Sequence, residues 1–97
     1  MDDLLLIPTP ADAEAALGRR VRETRRARGW TQAELARRST LSIATIARIE
    51  TSGQGQIASL VRICAALGRL GDVDDLLRAP APATLEELRR LRARGSA

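Results

Sequence analysis

A short stretch of the chain carries side chains that can make specific polar contacts. Ser42 and Thr45 supply hydroxyl groups, and Arg48 supplies a planar guanidinium that can donate two parallel hydrogen bonds. Gln32, earlier in the chain, adds an amide. Such groups suit the recognition of phosphates and other hydrogen-bonding ligands, and no acid-base pair, activated nucleophile or phosphate loop accompanies them. We therefore expect a binding protein that is not an enzyme.

Two short helices are predicted to position these groups. Thr31 precedes Glu34 by three residues, so its hydroxyl can cap the first turn while the Glu34 carboxylate reaches back to the Thr31 amide. Ser42 supplies the next capping oxygen, after a break at residues 39 to 41. Two helices joined by such a turn can place the second helix in the major groove of DNA.

The spacing of apolar residues predicts which face of the second helix is buried. Ile46 and Ile49 are expected to face inward, together with Leu35 and Ala36 of the first helix. The residues expected nearer the outer face are Ile43, Ala44, Ala47 and Arg48.

These segments resemble the helix-turn-helix family that includes the lambdoid phage repressors and many bacterial regulators, often called the XRE or Cro/CI type. The resemblance covers about residues 17 to 68. Its strongest segments are residues 29 to 36, 45 to 50 and 60 to 68. It implies an all-α, lambda-repressor-like helix-turn-helix bundle of about five helices, with a C-terminal extension helix and a possible short N-terminal strand at residues 4 to 7.

The remaining helices follow from caps and breakers. Thr9 and Pro10 begin a first long helix that Gly29 ends, with Leu17, Val21 and Trp30 facing the core. A fourth helix is predicted to bury one side, which carries Ile57, Leu60, Val61, Ile63, Cys64 and Leu67.

Two further caps are predicted beyond Gly68. Asp72 is expected to cap a short fifth helix holding Val73, Leu76 and Leu77. Thr84, with Glu87, begins the last helix. We divide the chain into an arm at residues 1 to 8, a DNA-binding domain at 9 to 79, and a Pro-spaced, Arg-rich tail at 80 to 97.

Positive charge is concentrated beside the predicted helix pair. Residues 19 to 48 carry nine Arg against two acids, a balance of +7, whereas residues 1 to 18 carry four acids and no base. An Arg-rich helix is often only a solvated face. Beside a helix-turn-helix pattern, the same charge can contact phosphates and give a salt-dependent, sequence-independent part of the affinity.

The amino-acid composition argues against metal and cofactor sites. The chain has no His, and its single cysteine, Cys64, lies in an apolar run. We predict no cofactor and no metal site. The apolar run at residues 4 to 7 is too short to span a bilayer, so we expect a cytoplasmic, nucleoid-associated protein.

The resemblance also implies roles for single residues. In the family, the residue matching Gln32 binds a phosphate and helps orient the reading helix, although Gln32 could instead be merely exposed. From their position at the start of the second helix, Ser42 and Thr45 are expected near phosphates or base edges, although capping alone also explains Ser42. Arg48 is the best candidate to bind a guanine, although it could instead hold only phosphate. The further phosphate candidates are Arg26, Arg28 and Arg38.

The chain departs from the family pattern at the reading helix and the turn. Many relatives carry Gln or Arg where Ile43 and Ala44 stand, and these two can touch at most a thymine methyl. Relatives often have Gly at Thr40, and a β-branched residue resists the positive φ expected there. Arg25 and Glu50 match a pair that in lambdoid repressors forms a buried salt bridge.

HipB-type antitoxins, which bind DNA as dimers and also bind a HipA-like kinase toxin, are similar to this chain in the tail after Gly68, in the opening residues 8 to 10 and in residues 29 to 32. We therefore expect double-stranded operator DNA as partner, a homodimer, and a toxin kinase as a further candidate. Residues 4 to 7 and 70 to 77 are candidate dimer interfaces, although each could equally be core. A basic membrane-surface helix is the weakest alternative.

Overall fold

The computed structural model describes residues 9–80 and 84–95, and these residues form six α-helices with no strand among them. In chain order the helices are α1 (Pro10–Ala27), α2 (Gln32–Ser39), α3 (Ile43–Ser52), α4 (Ile57–Ala66), α5 (Leu70–Asp75) and α6 (Leu85–Gly95). The predicted all-α bundle with an extension helix is confirmed. The arm at residues 1 to 8, with its possible strand, lies outside the described residues.

α1 begins and ends where its caps predict. The Thr9 hydroxyl oxygen accepts a hydrogen bond from the Asp12 amide at 3.2 Å, and Pro10 occupies the first turn. After the helix, Gly29 has a φ of 73°, in the left-handed region that glycine enters without steric cost. This turn directs the chain from α1 into α2.

Side-chain caps also begin α2 and α3. The Thr31 hydroxyl accepts from the Glu34 amide at 3.1 Å, and the Ser42 hydroxyl accepts from the Thr45 amide at 3.0 Å. The second half of the predicted capping box is wrong, because among the described hydrogen bonds the Glu34 carboxylate accepts from Arg37 and from Arg38, not from Thr31. The two neighbouring guanidinium groups compete successfully for this carboxylate.

The turn between α2 and α3 contains a strained residue. Thr40 has φ 57° and ψ 37°, so a β-branched residue adopts the left-handed conformation that such a side chain resists. The Leu41 amide donates to the Ala36 carbonyl oxygen at 2.9 Å, which closes the end of α2. The turn therefore keeps a positive φ at this position without a glycine.

The core lies between α1, α2, α3 and α4. Its buried side chains are Val21, Leu35, Ala36, Ile46, Ile49, Ile63 and Leu67, and Trp30 packs against them. Two core predictions are wrong: Leu17 is 45% exposed and Ile57 is 82% exposed. Leu17 lines an open groove between α1, α4 and α5, and Ile57 lies in the first turn of α4, where no described helix covers it.

The short helix α5 packs on α4 and begins earlier than predicted. Its N-cap is Arg69, and Asp72 lies in the first turn, where it pairs with the Arg69 guanidinium at 2.8 Å. The helix ends before Leu76 and Leu77, and both side chains are exposed. The prediction that Asp72 caps a helix holding these leucines is therefore wrong.

The predicted start of α6 is confirmed, because the Thr84 hydroxyl accepts from the Glu87 amide at 3.1 Å. Helix α1 packs chiefly on α3, and α2 contacts both α3 and α4. α6 belongs to none of these closely packed pairs. The pair α2 and α3 is thus held by α1, which packs on α3, and by α4, which packs on α2.

Candidate nucleic-acid interface

A buried ion pair joins α1 to α3. Arg25 Nε lies 2.7 Å from Glu50 Oε2, and Arg25 Nη2 lies 2.9 Å from Glu50 Oε1, so the contact is bidentate. The third guanidinium nitrogen donates to the Trp30 carbonyl oxygen at 2.7 Å. The ion pair that the resemblance implies is present, and it fixes the C-terminal half of α3 against α1 and against the start of α2.

Gln32 connects α2 to the same carboxylate. As the first residue of α2, it donates from Nε2 to Glu50 Oε1 at 3.2 Å, and its side chain is half-buried. A phosphate contact by this side chain remains a prediction. In the free protein, Gln32 joins Arg25 and Glu50 in one hydrogen-bonded cluster that spans three helices.

Two opposing effects set the ionisation of Glu50. Burial raises its pKa, because it disfavours the charged form, while hydrogen bonds from Arg25 and Gln32 lower it. Together with the attraction of the positive charges on Arg25 and Arg22, the hydrogen bonds outweigh the burial, so the pKa of Glu50 lies below its ordinary value. The pKa of Arg25 is raised by its hydrogen bond with Glu50. Both groups are therefore charged at neutral pH.

The outward face of α3 is largely aliphatic. Ile43 is 52% exposed, Ala44 and Arg48 are exposed, and Ala47 is half-buried. Ile46 and Ile49 face the core, as the spacing predicts. The structure thus places Ile43, Ala44 and Arg48 together on one exposed face of the second helix.

The hydroxyl groups at the start of α3 are already hydrogen-bonded. Ser42 Oγ accepts from the Thr45 amide, and it also shares a hydrogen bond with Thr45 Oγ1 at 2.8 Å. Both residues lie at the start of α3, and their contacts with phosphates or base edges remain predictions. In the free protein their hydroxyl groups satisfy each other and the first turn of the helix.

Arg48 and Arg26 present exposed guanidinium groups. Within residues 9–80 and 84–95, neither side chain forms an ion pair or a hydrogen bond. Such groups can contact a phosphate or a base without first breaking an internal contact. Of the predicted arginines, these two are best prepared for an external ligand.

Arg28 and Arg38 are engaged inside the protein. Their guanidinium groups stack on the Trp30 ring, 5.2 Å and 4.2 Å from its centroid. Arg28 Nη2 also donates to the Leu67 carbonyl oxygen at 2.7 Å, and Arg38 Nε donates to Glu34 at 2.7 Å. Their phosphate contacts remain predictions, and a phosphate would have to compete with these partners.

Sequence reasoning did not find this stack around Trp30. Arg28 and Trp30 are only two residues apart, but Arg38 reaches the ring from α2. The Leu67 carbonyl oxygen, which holds the Arg28 guanidinium, comes from the end of α4. No local spacing rule brings these segments together. The stack shows that some of the clustered positive charge holds the fold together.

Among the described helices, none is both long and apolar enough to cross a membrane.

Comparison with known proteins agrees with this architecture. The family model of the helix-turn-helix domain matches residues 16–80, a span that includes all of α2, α3, α4 and α5. Comparisons with curated proteins and with solved structures give no significant match. Since the family match covers most of the chain, including the capped pair α2 and α3, the protein belongs to the helix-turn-helix domain family.

Proposed function

We propose that the protein is a sequence-specific, double-stranded DNA-binding transcriptional regulator that acts as a dimeric repressor and has no catalytic activity. Its α3 helix enters the major groove, with Ile43, Ala44 and Arg48 toward the base edges. The observation that carries this proposal is the exposed face of α3, held in place by the buried cluster of Arg25, Gln32 and Glu50.

The distribution of charge supports a polyanionic partner. Arg26 lies near the end of α1 and is exposed. Further exposed arginines on the same helix are Arg19, Arg20 and Arg22. These side chains can neutralise phosphates on either side of the groove that α3 enters, which gives affinity that falls as salt rises.

Dimer formation is supported by exposed apolar side chains at α5. Leu70 is half exposed, while Leu76 and Leu77 are exposed by 70% and 95%. None of these three residues belongs to the core, so their apolar side chains are available to a protein partner. A second copy is our choice of partner, because one reading helix covers a single half-site and two-fold operators need two.

Binding of selected DNA tests the proposal. Duplexes of about 30 base pairs with random cores, long enough for two half-sites, are selected on the protein and measured by fluorescence anisotropy at about 50 to 200 mM salt. We expect affinity to fall steeply as salt rises. Absence of binding at low salt would overturn the proposal.

Two variants separate the proposed roles of the exposed arginines. Arg48→Ala is expected to relax base preference at one position, whereas Arg26→Ala is expected to weaken all sequences alike and to reduce the salt slope by about 1. Identical effects of the two substitutions would contradict this division of roles.

The alternative function is a toxin-neutralising module in which DNA binding is secondary. The same leucines at α5 favour it, because a HipA-like kinase could cover them in place of a second copy. Titration with a HipA-like kinase distinguishes the two functions. Saturable binding that requires Leu76 and Leu77 would favour an autoregulating antitoxin, and a stable homodimer without kinase binding would favour the repressor.

A further inference from the structure

The face of α3 that is available to DNA presents few hydrogen-bonding groups. At its N-terminal end Ile43 and Ala44 expose only aliphatic atoms, and Ala47 continues this surface one turn later. Arg48 lies at the edge of the same face. Most of the surface that would meet base edges is therefore a layer of methyl and methylene groups.

Apart from Arg48, the polar side chains at the starts of α2 and α3 are held by internal contacts. Ser42 and Thr45 share a hydrogen bond, and Ser42 also accepts from the Thr45 amide. Gln32, at the start of α2, donates to the buried Glu50 carboxylate. A base edge that replaced these partners would have to break bonds that already exist, so the aliphatic layer remains the surface most readily offered.

Only one kind of group in the major groove matches such a layer. Purine edges present acceptors and amino groups, and cytosine presents an amino donor, whereas thymine presents a methyl group at C5. An acceptor or donor pressed against Ile43 would lose its water without gaining a new partner, which is unfavourable. A C5 methyl group instead leaves water for an apolar contact, which is favourable.

We propose that α3 reads the C5 methyl group of pyrimidines, and that the operator carries thymine, or cytosine methylated at C5, opposite Ile43 and Ala44. This inference rests on the proposed DNA-binding function and specifies its ligand. Arg48 contacts the neighbouring guanine or phosphate. Affinity then depends on a methyl group that leaves Watson–Crick pairing unchanged, so cytosine methylation at this position strengthens binding.

The test compares duplexes that differ in that methyl group alone. The probe is a duplex selected as described above, in which each thymine is replaced in turn by deoxyuridine. We expect about fourfold weaker binding at each contacted position, the effect of one methyl-sized apolar group. In a second pair, 5-methylcytosine at the same position is expected to bind about fourfold more tightly than cytosine.

Matched variants assign the effect to its side chain. At the thymine opposite Ile43, the Ile43→Ala substitution is expected to bring the ratio of thymine to deoxyuridine affinity close to one. The circular dichroism of this variant should be unchanged, because Ile43 is half exposed. Ile57→Ala makes the same change at an exposed position on α4 and should leave the ratio as in the wild type.

The possible outcomes distinguish a failure of methyl reading from a failure of DNA binding itself. Equal affinities within either pair of duplexes, or a ratio that Ile43→Ala does not change, would overturn the methyl-reading inference and leave DNA binding intact. Failure to bind any duplex at low salt would overturn the proposed function and this inference together.

Discussion

The carboxylate of Glu50 accepts hydrogen bonds from two other helices, at 2.7 and 2.9 Å from Arg25 on α1 and at 3.2 Å from Gln32 on α2. The Arg25 and Glu50 side chains are only 9% and 2% exposed. This ion pair therefore connects α3 to α1 within the low-dielectric core.

Removing one partner of this pair should destabilise the fold strongly. Arg25→Ala is expected to lower the free energy of unfolding by about 3 to 5 kcal/mol, because it leaves a buried charge without a counterion. Urea unfolding followed by circular dichroism measures this loss. Replacing both partners, as Arg25→Met with Glu50→Leu, should cost less than either single change.

A surface pair provides the control for this experiment. Arg37 binds the Glu34 carboxylate at 2.7 Å, and its side chain is 69% exposed. Arg37→Ala should change stability little, since water and salt screen this contact. Equal losses for Arg25→Ala and Arg37→Ala would contradict the structural role assigned to the buried pair.

The pKa of Glu50 predicts how stability changes with pH. Since the folded state lowers this pKa, the stabilisation by the carboxylate is complete above its ordinary value of about 4.3. It is lost as pH falls through the lower value of the folded protein. The difference in unfolding free energy between wild type and Glu50→Gln should therefore narrow below about pH 4.

Glu34→Gln is the matched control for the pH series. Hydrogen bonds from Arg37 and Arg38 lower the pKa of Glu34 to about 2, but its side chain lies at the surface and is partly exposed to solvent. We expect its substitution to have a smaller effect on stability than that of Glu50 at every pH. A gap between wild type and Glu50→Gln that stays constant from neutral to acid pH would refute the prediction.

The turn before α3 offers a stabilising substitution. Thr40 occupies the left-handed region at φ 57°, where glycine avoids a steric cost of about 1 to 2 kcal/mol. Thr40→Gly should therefore raise the free energy of unfolding by about 1 kcal/mol after the entropy cost of glycine. In contrast, Thr51→Gly within α3 should lower it by about 0.3 kcal/mol, because glycine is a poorer helix former than threonine. Thermal unfolding compares the stability of both variants. A loss of stability in Thr40→Gly would contradict the conclusion that Thr40 is strained.

The contact between α1 and α3 depends on Gly18. A Cβ atom at this position would lie 2.2 Å from the Ile49 carbonyl oxygen, a backbone atom that cannot move aside easily. Gly18→Ala should therefore destabilise the protein by about 1 to 3 kcal/mol through overpacking, although alanine favours helices. Gly71→Ala on α5 meets nothing within 4 Å. The Gly71→Ala substitution should therefore raise the free energy of unfolding by about 0.5 to 1 kcal/mol. Denaturant unfolding measures the stability of both variants. If Gly18→Ala and Gly71→Ala changed the free energy of unfolding in the same direction, the close contact at Gly18 would be contradicted.

Local chemistry made the helix starts predictable from the sequence. Thr9, Thr31, Ser42 and Thr84 each cap a helix through a hydrogen bond to a residue three positions ahead, so no knowledge of distant residues was needed. The start of α5 was missed because its cap, Arg69, forms no side-chain capping bond. Helix starts without such a bond leave little pattern in the sequence.

Burial and the contacts of the arginines were harder to predict. Helical spacing predicts that Leu17 and Ile57 face the core. Both are exposed instead, because no neighbouring helix covers them. Similarly, Arg28 lies near the predicted interface, yet its guanidinium reaches the Leu67 carbonyl oxygen at the end of α4. Long-range packing, which the sequence does not display, decides whether such side chains meet core, solvent or ligand.

The central claim is that α3 docks in DNA through its exposed face, and amide chemical shifts of the ¹⁵N-labelled protein test it most directly. On titration with a selected duplex at low salt, the largest shifts should fall on residues 42 to 48 and at the start of α2. Arg26 should follow with smaller shifts, as a phosphate contact on α1. Shifts concentrated on α5 or α6, with residues 42 to 48 unchanged, would contradict the account.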